Sequence, residues 1–351
     1  MSNQMKAVTA AIALAGIGML APGKSSAASV EVVMSGLDNP RGLAFAADGS
    51  LYVTESGRGG TSPCISIRGV AFCYGATGAI SRLRQGQQER VVEGLPSISD
   101  AAATETGGPN DISFQGNVGY VTIGFVGTLP SLRSEFGAAG AVLGHLLRLE
   151  PNGKWQVVAD VSAHEALENP AGGPVETNPF AVLAEPGARL VTDAAGNSLL
   201  NVAADGSITT VATFPSRPAA STDAVPTGFT RGPDGAIYVG QLTGVPFAAG
   251  AASVFRIARG EAPTVWQSGF KTIIDIDFAA DGSLYVLQHA TGPVFFAGPG
   301  QILRVAPDGT RTVVLGGLDR PTSLAVGPDG ALYVSNRGVT PMAGEVLRIV
   351  P

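Results

Sequence analysis

The sequence predicts an all-β protein, a six-bladed β-propeller, and three observations lead to this fold class. The phrase Asp-Gly-(Ser/Ala)-(Leu/Ile)-Tyr-Val occurs four times, beginning at Asp48, Asp234, Asp281 and Asp329. The last three copies begin 47 and 48 residues apart, the length of a blade made of four short strands. The chain also contains 48 Gly and 24 Pro residues, a composition that suits many tight turns.

Each repeat contains the same elements in the same order. An apolar inner strand comes first, and an Asp-Gly turn, whose Gly supplies a positive φ, leads into the Leu-Tyr-Val strand. A third strand carries an Arg, or in one repeat an Asn, within a mostly apolar segment, at Arg82, Arg148, Asn201, Arg256, Arg304 and Arg348. A fourth strand follows in the first five repeats, so the sequence predicts six blades.

The sixth repeat ends at Pro351 without a fourth strand. Residues 32–37, which precede the first inner strand, resemble residues 313–318, the fourth strand of the fifth repeat. We therefore expect the mature N-terminal strand to complete the last blade and close the ring, which removes an open sheet edge.

Residues 1–28 are predicted to be a secretory signal peptide. Lys6 precedes an apolar run at 7–21, and small residues at 25–28 provide a cleavage site. The apolar run is shorter than the ~20 residues that a membrane-spanning helix needs. We expect residues 29–351 to form a single propeller domain that is secreted or periplasmic, with no stable membrane insertion after cleavage.

Charge and cysteine content narrow the function classes. The 22 basic and 28 acidic residues give a net charge of −6, and no basic tract is present, which argues against nucleic acid as a partner. Cys64 and Cys73, the only two cysteines, are predicted to form a disulfide, as expected for a nearby pair in an exported protein.

The early repeats contain insertions at 57–78, 96–108 and 127–144. Long loops on a rigid scaffold often carry function, and these loops either do so or simply cover one face of the ring.

The first residues of the inner strands are expected to converge on the central channel. They are predicted to be Arg41, Asn110, Asn178, Thr227, Asp275 and Thr322. Asn110, Asn178 and Asp275 offer oxygen ligands for one divalent cation, calcium or a similar ion. The alternative is a hydrogen-bonded polar plug without metal, in which Arg41 pairs with Asp275.

Further polar residues are predicted to surround the same face and to bind a small molecule or a protein partner. They are Glu55, Glu105, Glu176, Asp223 and Asn336, together with Arg41 and the three candidate metal ligands. The candidate catalytic residues are His289, which follows a strand, Asp275 and Asp193. The chain contains no GxSxG, HExxH, Walker or CxxCH motif.

Several segments together resemble the ScyD/ScyE family of scytonemin biosynthesis over essentially the whole mature chain. The resemblance rests on residues 36–43, the Cys64–Cys73 insertion through Gly78, and residues 108–112, 177–180 and 193–197. The Asp-Gly-x-Leu-Tyr-Val phrase is shared with NHL-type propellers. The resemblance implies an exported propeller, with some relatives associated with pigment assembly outside the cytoplasm.

The chain is more distantly similar to gluconolactonase- and regucalcin-type propellers, whose metal is held by a Glu, two Asn and an Asp. Asn110, Asn178 and Asp275 match three of these positions, but Arg41 stands where the Glu is expected. Three functions follow as hypotheses. The first is an accessory binding propeller, the second a metal-dependent hydrolase or lactonase, and the third an oxidative coupling enzyme suggested by the ScyD/ScyE resemblance alone.

Overall fold

The computed structural model describes residues 28–215 and 222–351 as a ring of six antiparallel β-sheets. The predicted six-bladed propeller is therefore confirmed. The predicted signal peptide lies outside the described residues, except for its last residue. In the described ranges, no helix is both long enough and apolar enough to cross a membrane.

The first strand of the chain, β1 (Ser29–Leu37), belongs to the last blade. Blade 1 follows with six strands: β2 (Pro40–Phe45), β3 (Leu51–Glu55), β4 (Cys64–Ile67), β5 (Val70–Arg84), β6 (Gln87–Ser99) and β7 (Thr106–Gly107). Blade 2 contains β8 (Pro109–Gln115), β9 (Val118–Ile123), β10 (His145–Leu149) and β11 (Trp155–Asp160). Blade 3 contains β12 (Pro179–Glu185), β13 (Ala188–Asp193), β14 (Ser198–Val202) and β15 (Ile208–Thr213).

The remaining three blades have four strands each. Blade 4 contains β16 (Pro226–Arg231), β17 (Ile237–Gln241), β18 (Ala252–Ile257) and β19 (Thr264–Phe270). Blade 5 contains β20 (Ile273–Phe278), β21 (Leu284–Gln288), β22 (Gly300–Val305) and β23 (Arg311–Leu318). Blade 6 contains β24 (Ser323–Val326), β25 (Leu332–Asn336), β26 (Gly344–Val350) and, as its outer strand, β1.

The ring closes as predicted. Strand β1 pairs antiparallel with β26, with Ser29 opposite Val350 and Val32 opposite Leu347. Met34 and Leu37 of β1 are buried at 2% and 1% exposure, so the closing strand also contributes to the core.

The insertions of the early repeats form ordered structure. Strands β4 and β5 pair as a hairpin joined by the predicted Cys64–Cys73 disulfide, which is confirmed. A 3-10 helix (Pro130–Val142) follows β9, and helix α1 (Val161–Glu168) follows β11. Arg133 donates two hydrogen bonds of 2.7 Å to Asp160, the N-cap of α1, and so ties the two helices together.

One pairing recurs in every blade and fixes the register of the inner strands. An apolar inner-strand residue lies opposite a valine of the second strand: Leu43–Val53, Ile112–Val121, Val182–Val191, Phe229–Val239, Ile276–Val286 and Leu324–Val334. These valines are at most 1% exposed and form the core between blades. In blades 1 to 5 the ladder is irregular just before this pair. Such bulges re-aim side chains, here toward the channel.

Candidate functional site

A cavity of about 580 Å³ occupies the end of the central channel at which the inner strands begin. All six inner strands contribute to its wall, together with the loops before them and after the second strands. Because later strand residues lie farther along the channel, the register defines an outer and a deeper level of side chains.

The register corrects the predicted ring of six residues. Two positions before the recurrent pair, the outer level contains Arg41, Asn110, Phe180, Thr227, Ile274 and Thr322. One position before it, the deeper level contains Gly42, Asp111, Ala181, Gly228, Asp275 and Ser323. Asp275 is thus one level deeper than predicted, and Asn178 precedes its strand altogether.

Arg41 extends from the outer level into the cavity. Its guanidinium donates hydrogen bonds of 2.9 Å to the Gly338 carbonyl oxygen and to Thr106 Oγ1. No described carboxylate lies within ion-pair distance, so the predicted pairing with Asp275 is not present. Burial lowers the pKa of Arg41 to about 10, and the side chain stays charged at neutral pH. The cavity therefore contains a cation without a protein counter-ion.

Asp111 and Asp275 lie on opposite blades at the deeper level. In each case the preceding blade has a glycine, Gly42 or Gly228, whose Cβ would overlap the carboxylate Oδ1 atom. The same Gly-then-Asp arrangement therefore occurs twice, three blades apart. Sequence reasoning missed Asp111 as a site residue, although its position relative to Ile112 matches that of Asp275 relative to Ile276.

Each of these aspartates is bonded to the next blade. Asp111 Oδ2 accepts a hydrogen bond from the Val182 amide at 2.8 Å, and Asp275 Oδ2 accepts from the Leu324 amide at 2.9 Å and Ser323 Oγ at 2.7 Å. Burial raises the pKa of Asp275 to about 7. Burial, together with the charge of Asp275, raises the pKa of Asp111 well above its usual value.

The three candidate metal ligands line the same cavity, at different positions along the channel. Asn110 Nδ2 donates to the Phe180 carbonyl at 2.9 Å, and Asn178 Oδ1 accepts from the Phe125 amide at 3.0 Å. Asp275 is at the deeper level, where its two carboxylate oxygens accept hydrogen bonds from the Ile276 amide, Ser323 Oγ and the Leu324 amide. Among the described residues, no group of three or more His, Cys, Asp or Glu side chains could hold a metal ion.

His289 lines the cavity as a neutral, oriented imidazole. Its Nδ1 lies 2.9 Å from the Pro321 carbonyl oxygen, which can only accept, so Nδ1 carries the proton and Nε2 is the free acceptor. Burial, with a contribution from the positive charge of Arg41, lowers the pKa of His289 to about 4. Thr322 Oγ1 donates to the Pro40 carbonyl at 2.6 Å, which links the backbone beside His289 to the backbone beside Arg41.

Asp193 does not reach the cavity. It is fully buried and accepts hydrogen bonds from Thr177 Oγ1 and the Asn178 amide at 2.7 Å and from the Gly196 amide at 3.0 Å. Burial raises the pKa of Asp193. This carboxylate holds the loop that leads into the inner strand of blade 3.

Glu55 and Asn336 have the same structural role in blades 1 and 6. The sequence predicts both as binding residues, but neither lines the cavity. Glu55 accepts hydrogen bonds from the Asp38 amide at 2.6 Å and from Arg90 at 3.0 and 2.7 Å. Asn336 accepts from the Asp319 amide at 2.9 Å. Each residue ends a second strand and fixes the loop before the neighbouring inner strand.

The other predicted acidic residues, Glu105, Glu176 and Asp223, do line the mouth of the cavity. Arg68, in the turn of the β4–β5 hairpin, forms an ion pair with Glu105. Arg68 also donates to the carbonyl oxygens of Val126 at 2.8 Å and Gly127 at 2.7 Å. Glu105, Glu176 and Asp223 form an acidic wall of the mouth, and the early insertions hold Glu105 in place.

Sequence reasoning also missed three aromatic residues of the cavity, Phe180, Phe247 and Phe296. Phe247 and Phe296 stack with a centroid distance of 4.4 Å and an interplanar angle of 19°. They lie on loops that interrupt the repeat, so no periodic pattern marks them. A Phe pair within the Gly- and Pro-rich segment 292–300 is the one local signal.

Comparison with known proteins supports the fold. No protein-family model and no curated protein matches the chain. Three similar solved structures each cover 92% of this chain. Aldose sugar dehydrogenase from Escherichia coli has a TM-score of 0.57, 14% identity and 99% of its own chain covered. A gluconolactonase from Xanthomonas campestris has a TM-score of 0.53 and 12% identity, with 90% of its own chain covered. A catalytically inactive virginiamycin B lyase variant from Staphylococcus aureus with quinupristin has a TM-score of 0.51 and 14% identity, with 99% of its own chain covered. At these identities the similarity shows the six-bladed propeller fold alone.

Proposed function

We propose that the protein binds a small organic acid in its central cavity, with the anionic group of the ligand on Arg41. The unpaired charge of Arg41 carries this proposal. A guanidinium taken out of bulk water without a counter-ion costs folding free energy, and an anionic ligand offsets that cost. Guanidinium groups also match carboxylates geometrically, since two N–H groups can donate to two oxygens.

On this proposal the protein is an exported accessory propeller, as the resemblance to the ScyD/ScyE family implies. A cavity of about 580 Å³ with both apolar and polar lining residues is of the size that holds one small molecule. Oxidative coupling is a hypothesis of that resemblance only.

Calorimetric titration of the mature chain with small monocarboxylates and their neutral amides tests the proposal. We expect at least one acid to bind about tenfold or more tightly than its amide, because only the acid pairs with the guanidinium. Arg41→Gln should abolish the difference, while Arg259→Gln, which changes an exposed arginine, should preserve it. Equal affinity of every acid and its amide, or no binding at millimolar concentration, would contradict the proposal.

A second candidate function is ester or lactone hydrolysis, which the free Nε2 atom of His289 in the same cavity as Arg41 favours. Nε2 would remove a proton from water as the water oxygen bonds to the carbonyl carbon, and Arg41 would stabilise the resulting oxyanion. The carbon–oxygen bond to the leaving alcohol then breaks, and the imidazolium returns its proton to that alcohol. No step is assigned to Asp275 or Asp193, whose oxygens accept hydrogen bonds from the protein.

Turnover of aryl esters and lactones by the purified protein tests this second function. If His289 is the base, we expect His289→Gln to lower kcat about a hundredfold or more with little change in KM. Turnover that His289→Gln leaves unchanged would exclude the residue. The predicted divalent cation is a separate proposal, and a calcium-dependent rise in the Tm of chelator-treated protein would support it.

A further inference from the structure

Two loops from neighbouring blades meet at the cavity mouth, opposite in character to the acidic wall. The first, residues 243–250, follows the second strand of blade 4, and the second, residues 290–299, follows that of blade 5. The Phe295 amide donates to the Pro246 carbonyl at 2.6 Å, and the Ala249 amide donates to the Pro293 carbonyl at 3.0 Å. We call these two segments the aromatic loop pair.

The aromatic loop pair extends the site of Arg41 toward solvent. Phe247 and Phe296 stack on each other, and the ring of His289 meets Phe296 edge-on with a centroid distance of 5.0 Å. All three rings line the cavity that contains Arg41. A ligand held by Arg41 therefore shares the cavity with an imidazole and a benzyl ring that contact each other.

The aromatic loop pair exposes apolar side chains to water and contains strained backbone. Phe296 is 36% exposed, and the nearby Val245 and Phe295 are 63% and 56% exposed, so the loops present apolar surface to water. Phe247 and Phe295 have φ angles of 54° and 50°, in the left-handed region that bulky residues rarely adopt. Backbone strain of this kind concentrates at ligand clamps and active sites.

The acidic residues of the mouth restrict the charge of the ligand, and one of them, Asp223, borders the aromatic loop pair, since its carbonyl accepts a hydrogen bond from the Gly244 amide at 3.0 Å. Glu176 and Asp223 form no ion pair with any described residue, and Arg68 already pairs with Glu105. A second anionic group near the mouth would be repelled by these carboxylates. An uncharged ligand body facing the aromatic loop pair meets no such repulsion.

We propose that the ligand is a monocarboxylate with a flat aromatic body, whose carboxylate contacts Arg41 and whose ring packs against Phe296. This inference rests on the proposed binding function and adds the chemical class of the ligand. Aromatic rings prefer offset-stacked or edge-to-face contact with other rings, whereas a saturated ring of similar size provides only apolar area.

Calorimetric titration with 3-phenylpropionate and 3-cyclohexylpropionate separates the contribution of aromatic ring contact from that of apolar area. We expect the aromatic acid to bind the wild-type chain about fivefold or more tightly. Phe296→Leu should remove this preference and leave the preference for acid over amide intact. Phe295→Leu is the matched control, because Phe295 lies next in the chain but does not line the cavity, and it should behave as wild type.

The outcomes distinguish the two proposals. If both acids bind equally and Arg41→Gln weakens both, the binding function stands and the aromatic class is overturned. If no acid binds more tightly than its amide, the binding function fails and the ligand class fails with it. A preference for 3-phenylpropionate that persists in Phe296→Leu, with an unchanged Tm, would overturn the assignment of the ring contact to Phe296.

Discussion

At the scale of single residues, the most repeated side chains stabilise the scaffold. In the Asp-Gly turns, Asp234 Oδ1, Asp281 Oδ1 and Asp329 Oδ1 accept hydrogen bonds from the amides two residues later. The other carboxylate oxygen of each pairs with the third-strand arginine of the same blade, at 2.7 Å for Arg256, 2.8 Å for Arg304 and 2.7 Å for Arg348. These partly exposed pairs fix a turn and contribute little individually to the free energy of unfolding.

Glu165 of α1 differs because its carboxyl lies in the interior and forms no ion pair with a described residue. The residue is 2% exposed, its Oε1 atom has no hydrogen-bond partner in the described protein, and Asp193 lies nearby. Burial, with the charge of Asp193, raises the pKa of Glu165 from 4.5 to about 8. At neutral pH the folded protein therefore keeps this carboxyl protonated.

This raised pKa predicts a pH-dependent cost to folding. The folded protein binds a proton that the unfolded chain releases near pH 4.5, so stability falls as pH rises from about 4.5 to about 8. We expect Glu165→Gln to match wild type near pH 4 and to exceed its stability by ~4 kcal/mol at pH 8. Thermal unfolding against pH measures this, with the exposed Glu168→Gln as control. A parallel Tm profile for wild type and Glu165→Gln would contradict the prediction.

At the scale of strands, the sequence predicts the inner strands but misplaces a polar residue in two blades, by two positions at Asn178 and by one at Asp275. Proline begins the inner strand at 40, 109, 179 and 226, whereas Ile273 has that place in blade 5. If the inner strands of the blades are aligned by their polar residues alone, Asn178 and Asp275 fall at the same level as Arg41. A shift of one residue changes where a side chain points, and only the pairing with the second strand fixes the register.

Glu55 and Asn336, which end second strands, are predicted as binding residues for a related reason. Their polar type is visible in the sequence, but their partners are backbone groups elsewhere in the chain. Glu55 bonds the Asp38 amide, and Asn336 bonds the Asp319 amide, each 17 residues away. Residue type alone does not distinguish a carboxylate that binds a ligand from one that holds a loop.

The loops show the limit of prediction from repeats. Glu105, Glu176 and Asp223 were found because they precede inner strands, and all three line the cavity. Phe247 and Phe296 were missed because irregular loops have no hydrophobic period, and because their contact joins two blades.

At the scale of the whole molecule, the ring combines a repeated channel with an unequal mouth. The deeper level reads Gly-Asp-Ala over blades 1 to 3 and Gly-Asp-Ser over blades 4 to 6, at Gly42, Asp111, Ala181, Gly228, Asp275 and Ser323. The mouth lacks this symmetry, since the acidic wall lies in the loops before blades 2, 3 and 4, whereas the aromatic loop pair comes from blades 4 and 5. The ring holds these walls, which come from different blades, around one cavity.

Strand β1, which closes the ring, offers the most direct test of what holds the ring together. Deleting residues 29–36 would remove Met34 from the core and leave the β26 edge unpaired, so the last blade would lose the outer strand that leads into the first blade. Because all six blades share one ring of contacts, we expect a single thermal transition at a Tm at least ~5 °C lower, rather than local melting of blade 6.

Point variants separate the loss of packing from the loss of the strand. Met34→Ala should lower the free energy of unfolding by about 2–4 kcal/mol, whereas Val32→Ala, at a side chain 53% exposed on the same strand, should change it by less than about 0.5 kcal/mol. If Met34→Ala and the deletion both left the transition unchanged, β1 would not hold the ring closed. If the deletion lowered the Tm and also weakened acid binding at Arg41, on the neighbouring blade, closure would support both the fold and the site.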